Sequence, residues 1–236
     1  NLRKRPAKPE VPDSAKVAKK SDGANPAWFL PVTLTLMIVG LVWIMVYYIS
    51  QTLFPLGAGT PFDIGAGTGV LSVVLAVRQI QQIVATDLDD RAIACAIDNI
   101  EKLNLRSQIR IQKANLFPEG KAALIVCNPP WLPARPSSSL EHAVYDPDSQ
   151  MLKGFLDSLK DHLLPKGEGW LILSDLAEHL GLRTREELLS WIAAAGLTVV
   201  TRLDTKPHHP KVFDKTDALH IARAKETTSL WRLASK

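Results

Sequence analysis

The hydrophobic pattern of this chain changes character near residue 60. Before that point one uninterrupted apolar run extends from Trp28 to Ile49, and after it short β-branched runs alternate with amphipathic stretches. Apolar runs of about four to eight residues are typical of strands, and apolar residues at i, i+3, i+4 and i+7 are typical of helices. The pattern therefore predicts two parts of different kinds.

The second part, residues 61–236, is predicted to be an α/β domain. The predicted strands are PFDIG (61–65), QQIVATD (81–87), QIRIQ (108–112), AALIVCN (122–128), GWLILSD (169–175), LTVVTRL (197–203) and TTSLWRLA (227–234). The predicted helices are GVLSVVLAVRQ (69–79), DDRAIACAIDNIEKLN (89–104), MLKGFLDSLKDHL (151–163) and TREELLSWIAAA (184–195). Strands alternating with such helices form parallel βαβ units, and strands that are apolar throughout are buried on both faces. This predicts a Rossmann-like, doubly wound, mostly parallel sheet.

The first part begins with a polar segment and continues as an apolar one. Residues 1–27 are rich in Lys, Pro, Ala and Ser without apolar periodicity, which predicts a disordered basic tail. The run of twenty-two residues that follows has no charge and has aromatic residues at both ends. Because a bilayer core of about 30 Å needs about 20 apolar residues of helix, we predict a transmembrane helix at 28–50 and a linker at 51–60. A core helix would show a polar face, and a signal peptide would be shorter.

Charge and cysteine content exclude few functions for residues 61–236. The tail holds seven Lys and Arg and three Asp and Glu, so it carries the whole formal net charge of +4. The rest of the chain is balanced, and therefore no strongly basic face for nucleic acid is indicated. Cys95 and Cys127 are far apart in sequence, which favours a reducing compartment over a disulfide framework.

The N-terminal part resembles a known membrane family. The basic leader, NPAWFLPVTLTLMIVGLVWIMVYYISQ and TLFPLGAGT resemble the first half of actinobacterial CrgA-type septation membrane proteins, over residues 1–60. Those proteins have a second transmembrane helix soon after this point, and no apolar run of that length follows Ile49 here. The resemblance implies contact with a lipid bilayer through residues 28–49 and with septation proteins through the N-terminal part.

Two motifs follow the first and second predicted strands. In DIGAGTG (Asp63–Gly69), alternate glycines permit a tight turn and close approach of a ligand to the backbone. Val70 stands where the dinucleotide-binding fingerprint G-x-G-x-x-G has its last glycine, and a purely structural turn remains an alternative. Asp87 ends the second strand, where a carboxylate can accept from both hydroxyls of a ribose. The alternative for Asp87 is an N-cap, for which Asp89 is better placed.

The third motif, NPPW, comprises Asn128, Pro129, Pro130 and Trp131 at the end of the fourth predicted strand. The prolines stiffen the backbone, so the Asn128 side-chain oxygen and the Pro129 carbonyl can both accept from one amino group. Trp131 offers a flat face to a planar amide or base. The alternative is a simple strand-ending turn, because Asn-Pro marks turns.

Together these motifs resemble the class I AdoMet-dependent methyltransferases of the "methyltransferase small" group, over residues 60–236. That group includes glutamine methylases of release factors and amino-group methylases of rRNA and tRNA bases. The resemblance implies S-adenosyl-L-methionine (AdoMet) as cofactor and the NPPW residues as the catalytic motif, with Asn128 also next to the cofactor. It implies the following further cofactor-binding residues: Asp63, Gly65, Ala66, Gly67, Thr68, Gly69, Asp87, Asn115 and Leu116.

Two segments implied by this resemblance carry their own expectations. In the loop ANLF, which would border adenine, Asn115 stands where the group usually has an acidic residue, so weaker cofactor binding is expected. The segment EHAVYDP (141–147) would shape the acceptor pocket. His142, His162 and His179 are expected to be surface or helix residues. His208 and His209 lack a further ligand cluster, and no metal site is predicted.

The predicted function is AdoMet-dependent N-methylation of a planar amide or amino group on a protein, a nucleobase or a small molecule, by a domain attached to a membrane span. The transfer is an in-line displacement that needs positioning more than a general base. One alternative is a septation-type membrane adaptor with an inactive, truncated methyltransferase domain; AdoMet binding distinguishes the two. A nicotinamide-dependent oxidoreductase ranks last, because position 70 and NPPW argue against it.

The junction predicts a conflict of topology. Positive charge before the span predicts a cytoplasmic N-terminus, and a single span would then place the domain outside, although its cofactor requires the cytoplasm. We expect a single-pass membrane location with a domain that needs the cytoplasm. The tetrapeptide GAGT occurs at 57–60 and again at 65–68. The repeat suggests a join between two unrelated coding sequences, with the usual segment before the first strand replaced.

Overall fold

Seven strands form one sheet in the described part of the chain, which comprises residues 59–134, 144–207 and 219–236 of the computed structural model. The strands are β1 (Phe62–Ile64), β2 (Ile83–Asp87), β3 (Ile109–Lys113), β4 (Ala122–Cys127), β5 (Leu163–Ser174), β6 (Leu197–Thr205) and β7 (Thr228–Ser235). The helices are α1 (Val70–Val77), α2 (Asp90–Lys102), α3 (Gln150–His162), α4 (Leu176–His179), α5 (Arg185–Ala194) and α6 (His220–Arg223). The predicted tail, the predicted span and residues 51–58 of the predicted linker lie outside the described residues.

The strand order is β3-β2-β1-β4-β5-β7-β6. Strands β1 to β5 are mutually parallel, and β7 is antiparallel to both of its neighbours, β5 and β6. This arrangement confirms the predicted mostly parallel, doubly wound sheet, although the antiparallel strand makes it mixed. The chain leaves β1 toward β3 and returns on the other side of β1 at β4, so the topological switch point lies between β1 and β4. Ligands of such sheets bind there, beyond the carboxyl ends of the strands.

Each central strand is buried on both faces, as its continuous apolar sequence predicted. In β4, Leu124 and Val126 belong to the core on the side of α1 and α2, whereas Ile125 and Cys127 belong to the core on the side of α3 and α5. The same alternation in β1 turns Asp63 away from its two apolar neighbours and toward α1.

Helix α3 follows directly from its apolar spacing. Leu152, Phe155, Leu156 and Leu159 stand at i, i+3, i+4 and i+7, and all four are fully buried against the sheet. All four predicted helices are present. The pattern did not predict α4, α6 or a 3₁₀ turn at Pro147–Ser149, because elements of three or four residues are too short to show a period.

None of the helices formed by the described residues is long and apolar enough to cross a membrane.

Helix α5 begins with a capping box. The Thr184 Oγ1 accepts from the Glu187 N–H at 3.1 Å, and the Glu187 carboxylate accepts from the Thr184 N–H at 2.7 Å. We expect Thr184→Ala to lower the free energy of unfolding by about 1 kcal/mol, because one N–H of the first turn loses its partner. Urea unfolding checks this value, and Thr184→Ser, which keeps the hydroxyl, should stay near the wild type. Equal losses for both variants would show that the methyl group, not the cap, is responsible.

Candidate functional site

Three sequence motifs meet at the switch point because their strands end at the same level. In the ladders, Ile64 is the partner of Thr86 on β2 and of Cys127 on β4. The next residues along the three strands are Gly65, Asp87 and Asn128. Neighbouring strands lie about 4.8 Å apart, so these three residues, one from each motif, form a row across β2, β1 and β4.

The loop Gly65–Gly69 has the backbone that its glycines predicted. Gly65, Gly67 and Gly69 have φ angles of 68°, 55° and 81°, a region that favours glycine. A Cβ at position 67 would meet no atom within 4 Å, so the backbone there is open to a ligand. A Cβ at position 69 would lie 3.4 Å from the Cβ of Ala96, which brings α2 close to the loop. Each glycine therefore answers a local requirement.

Asp87 ties this loop to the end of β2. Its Oδ2 accepts from the Gly67 N–H at 2.8 Å, and its Oδ1 accepts from the Asp89 N–H at 2.9 Å. A carboxylate has about four acceptor positions, so both oxygens can still accept from a ligand. Asp89, as predicted, is the N-cap of α2: its Oδ1 accepts from the Arg91 N–H at 2.9 Å.

Asp63 lies under the loop and is completely buried. Its Oδ2 accepts from the N–H and the hydroxyl of Ser72, at 2.9 and 2.6 Å, and so fixes the first turn of α1. Its Oδ1 has no hydrogen-bond partner. Burial, only partly offset by the Ser72 hydrogen bonds, raises the pKa of Asp63 to about 6.

This pKa predicts a pH-dependent stability. Because the folded-state pKa lies above the unfolded value of 3.8, the stabilisation from protonated Asp63 is complete below pH 4 and is lost as the pH rises through 6. At about 1.4 kcal/mol for each pH unit between the two values, the loss amounts to about 3 kcal/mol. We expect Asp63→Asn to remove this component, measured as the wild-type minus variant free energy of unfolding between pH 4 and 7. A difference that does not vary with pH would contradict the assignment.

The predicted adenine loop is pinned beside β2. The Thr86 hydroxyl donates to the Leu116 carbonyl at 2.5 Å, and Leu116 has a positive φ of 66°. Phe117 stacks on Phe155 and on His162, with ring centroids 5.7 and 4.3 Å apart. Asn115 is exposed at the loop tip, so its amide is accessible to a ligand.

The NPPW segment leaves the sheet at the end of β4. Asn128 is exposed, Pro129 is buried, and the Trp131 indole is half-buried against the core. The Trp131 Nε1–H donates to the Asn128 Oδ1 at 3.0 Å. An indole nitrogen can only donate, so this bond orients the Asn128 amide with its oxygen toward Trp131 and leaves one lone pair of that oxygen for a substrate.

Three residues that sequence reasoning did not single out hold these parts together. Asn99 Nδ2 donates to the Thr68 carbonyl at 3.0 Å. Asp146 is buried and accepts at its two oxygens from the N–H groups of Met151 and Leu152, at 2.9 and 3.1 Å. The Met151 methyl fills the space that a Cβ at position 65 would take. Of the three, only Asp146 had a sequence signal, because it lies in the segment 141–147 that was expected to shape the acceptor pocket.

Cys127 is not a candidate nucleophile. Burial, followed by the charges of Asp63 and Asp146, raises the pKa of its thiol well above 9. Of the histidines, His162 belongs to α3 and the His179 Nε2 lies 3.4 Å from Asp175 Oδ2. His142, His208, His209 and residues 141–143 of the predicted pocket segment lie outside the described residues.

The described residues fit AdoMet. The loop backbone is open at Gly67, and the buried Asp63 Oδ1 lacks a donor of the kind that an amino group supplies. The residues expected to contact adenine follow β3, those expected to contact the ribose follow β2, and those expected to contact the methionine part follow β1. These three strands are neighbours in that order, and the NPPW motif follows the next strand, β4. The individual role of each residue toward the cofactor stays a prediction.

Comparisons with known proteins give matches to two family models. The family model "Cell division protein CrgA" matches residues 1–79, and the model "Methyltransferase small domain" matches residues 49–183. Both family resemblances found in the sequence are thereby confirmed. The CrgA match extends to residue 79, beyond the limit near residue 60 that the sequence predicted. The described part of the overlap, residues 59–79, forms β1, the glycine loop and α1.

The curated relatives with matching sequences include RNA methyltransferases. The tRNA1(Val) (adenine(37)-N6)-methyltransferase of Serratia proteamaculans is 30% identical over 156 residues, which cover 62% of this chain and 59% of the relative. That of Vibrio cholerae is 32% identical over 146 residues, covering 55% and 60%. The chain thus spans about 60% of the length of these relatives.

Solved structures show the fold. A ribosomal protein L11 methylase from Lactobacillus delbrueckii subsp. bulgaricus has a TM-score of 0.52 at 18% identity, covering 78% of this chain and 73% of its own. A geranyl diphosphate methyltransferase in complex with SAM has a TM-score of 0.55 at 14% identity, covering 82% and 85%. These comparisons confirm the class I methyltransferase fold, and the family supports AdoMet as the cofactor. Since its model matches more than half of the residues, the chain belongs to the methyltransferase small domain family.

Proposed function

We propose that the domain is an AdoMet-dependent N-methyltransferase whose acceptor is a planar amino group, with the exocyclic amino group of an adenine in tRNA as the first acceptor to test. The observation that carries this proposal is the row of Gly65, Asp87 and Asn128 across three neighbouring strands. In this row the Asn128 amide, which can accept hydrogen bonds from a substrate, stands one strand away from the loop that we assign to the methionine part of AdoMet. The adenine acceptor is suggested by the names of the two tRNA methyltransferase relatives.

Different residues of the chain contact different parts of the cofactor. Asp87 accepts from the ribose hydroxyls, the loop Gly65–Gly69 presents its backbone to the methionine part, and Asn115 and Leu116 border the adenine. AdoMet would supply the methyl group on a sulfonium that makes it electrophilic: transfer breaks the bond from sulfur to the methyl carbon, leaves a neutral thioether, and releases one proton from the methylated nitrogen to solvent.

At the acceptor end, the Asn128 Oδ1 and the Pro129 carbonyl accept from the two N–H groups of the amino nitrogen. These bonds draw the nitrogen toward tetrahedral geometry and aim its lone pair at the methyl group. The Trp131 indole N–H already donates to the Asn128 Oδ1 at 3.0 Å and so orients that oxygen. Preorganised acceptors of this kind stabilise the charge that develops on the nitrogen.

Transfer of radiolabelled methyl from AdoMet tests the proposal on the full-length chain in lipid nanodiscs. The acceptors are total tRNA, a glutamine-containing peptide and free adenosine, and mass spectrometry locates the methyl group. Formation of N6-methyladenosine in tRNA supports the proposal in full, and a methylated peptide or nucleoside retains the N-methyltransferase but corrects the acceptor. AdoMet binding without transfer to any nitrogen would contradict it, and no AdoMet binding by folded protein would favour the septation-type adaptor.

Attachment to a membrane through residues 28–49, and contact with septation proteins, are further parts of this proposal. They are supported by the CrgA match over residues 1–79 and by the apolar run within it. Sodium carbonate extraction of cell membranes tests the attachment: the chain should stay in the pellet, and its release would overturn it.

A further inference from the structure

Helix α3 contacts both loops that are assigned to the cofactor. At its first turn, the Met151 methyl packs on Gly65. One turn later, a Cβ at position 154 would lie 2.8 Å from the Leu116 Cδ1, so that glycine lets the adenine loop approach the helix. Phe155 stacks on Phe117 in the same loop. The position of α3 therefore affects the methionine side and the adenine side together.

The same helix is tied to the acceptor segment through Asp146. The Asp146 side chain accepts from the N–H groups of Met151 and Leu152, while its backbone N–H donates to the Leu132 carbonyl at 2.8 Å. Leu132 directly follows the NPPW motif, and its N–H donates to the Val144 carbonyl at 3.1 Å. A single buried residue thus joins the strand-like pairing beside the acceptor motif to the first turn of α3.

We propose that Asp146 is a positioning residue that couples the acceptor segment to the cofactor loop through α3, an inference that rests on the proposed function. Its carboxylate makes charge-assisted bonds at a helix N-terminus, where negative charge is favourable. The first turn of α3 follows backbone with φ of 54° at Asp148 and 55° at Ser149, and the Asp146 carboxylate accepts from two N–H groups of that turn. Without the carboxylate, Met151 loses its fixed place on Gly65.

The coupling is reciprocal. AdoMet bound at Gly65 fixes Met151 and the helix, and through Asp146 it fixes Leu132 and the adjoining Trp131. By linkage, an acceptor that orders the NPPW segment strengthens AdoMet binding by the same factor. If Asp146 only stabilised the fold, its substitution would change neither the AdoMet affinity nor the response of the NPPW segment to AdoMet in the folded protein.

Two readouts on the full-length chain in nanodiscs test this. The first is the AdoMet dissociation constant by calorimetry for wild type, Asp146→Ala, Met151→Ala and the double variant. We expect each single change to weaken binding about tenfold, and the double variant to be no weaker than about twentyfold, because both changes break the same link. The coupling would be overturned if the double variant bound AdoMet about a hundredfold more weakly than wild type, the product of the two single losses. It would also be overturned if the AdoMet dissociation constant of Asp146→Ala lay within twofold of the wild-type value.

The second readout is the Trp131 indole N–H resonance in ¹⁵N-labelled protein, identified by its loss in Trp131→Phe. AdoMet should shift it in the wild type and leave it unmoved in Asp146→Ala, even at saturation. A shift that persists in the saturated variant would mean that the acceptor segment senses AdoMet directly, which overturns the role of Asp146.

Asp148→Asn is the matched control for Asp146→Asn, since it makes the same chemical change two residues away at a φ that Asn tolerates, and it should behave as wild type. If Asp146→Ala does not fold, Asp146→Asn keeps one acceptor oxygen and should give about a threefold loss; no loss would contradict the inference. If the wild-type protein does not bind AdoMet, the proposed function itself is refuted. If the wild type binds AdoMet but the variants show no coupling, only the role of Asp146 is refuted.

Discussion

Asn128→Ala should reduce the rate of methyl transfer by about 10²- to 10³-fold while leaving the AdoMet dissociation constant within about threefold of wild type. The substitution removes one of the two oxygens that accept from the acceptor nitrogen, and loss of one preorganised electrostatic group costs a rate of this size. AdoMet binding should weaken only slightly, because Asn128 is one of several residues expected to contact the cofactor and takes no part in the described contacts of the glycine loop.

Single-turnover measurement with saturating AdoMet checks this expectation, because it isolates the chemical step from product release. Asn128→Asp is the informative companion. It keeps an oxygen that can accept both from the Trp131 indole and from the substrate, so it should retain more activity than the alanine variant. If the alanine variant transferred methyl within threefold of the wild type, acceptance by the Asn128 side chain would not be part of the mechanism.

Asp87→Ala should weaken AdoMet binding by tenfold or more, equivalent to about 1.4 kcal/mol. The substitution removes two kinds of contact made by the carboxylate. It would accept from the ribose, and it already holds the glycine loop through the Gly67 N–H at 2.8 Å. Its removal leaves that N–H without this partner, and only the backbone bond from the Ala66 N–H to the Thr86 carbonyl, at 2.8 Å, still ties the loop to β2 among the described contacts.

Calorimetric titration with AdoMet measures the effect, and two variants separate its causes. Asp87→Asn keeps one acceptor oxygen and should fall between wild type and alanine. Asp90→Ala removes an exposed neighbouring carboxylate, which pairs with Lys113 at 2.7 Å, and controls for the general loss of negative charge near a cationic ligand. Equal weakening by Asp87→Ala and Asp90→Ala would show that AdoMet responds to net charge and not to the specific contacts of Asp87.

The sequence predicted the sheet because its signals are local. A strand buried on both faces must be apolar throughout, as AALIVC is in β4, and α3 must carry Leu152, Phe155, Leu156 and Leu159 on one face. The glycines at 65, 67 and 69 were predictable for the same reason, since their positive φ angles are a backbone requirement of the loop itself. The short elements α4 and α6 were not predicted, because tertiary packing stabilises them. Leu176 and Ala177 of α4, for example, pack against Leu132.

Within the candidate site, the motifs were visible in the sequence but their connections were not. DIGAGTG, Asp87 and NPPW could be identified one by one, and the order of predicted strands placed all three at one edge of the sheet. The link from Thr86 to Leu116 depends on where two distant parts of the chain arrive, and the link from Asn128 to Trp131 depends on the conformation of the NPPW segment. So does the unpartnered Oδ1 of Asp63, since its burial exists only after α1 has packed over β1.

The sequence by itself determined the seven strands and the four longer helices, the turns that need glycine, and the chemical groups that stand at the strand ends. These properties depend on residues within one or two turns of each other, and so a linear pattern records them. Only the tertiary structure decided that Asp146, far from the glycine loop in sequence, fixes the helix that lies on that loop. Such a link is set by the register of the parallel strands and the packing of α3, which bring together residues that no local pattern relates.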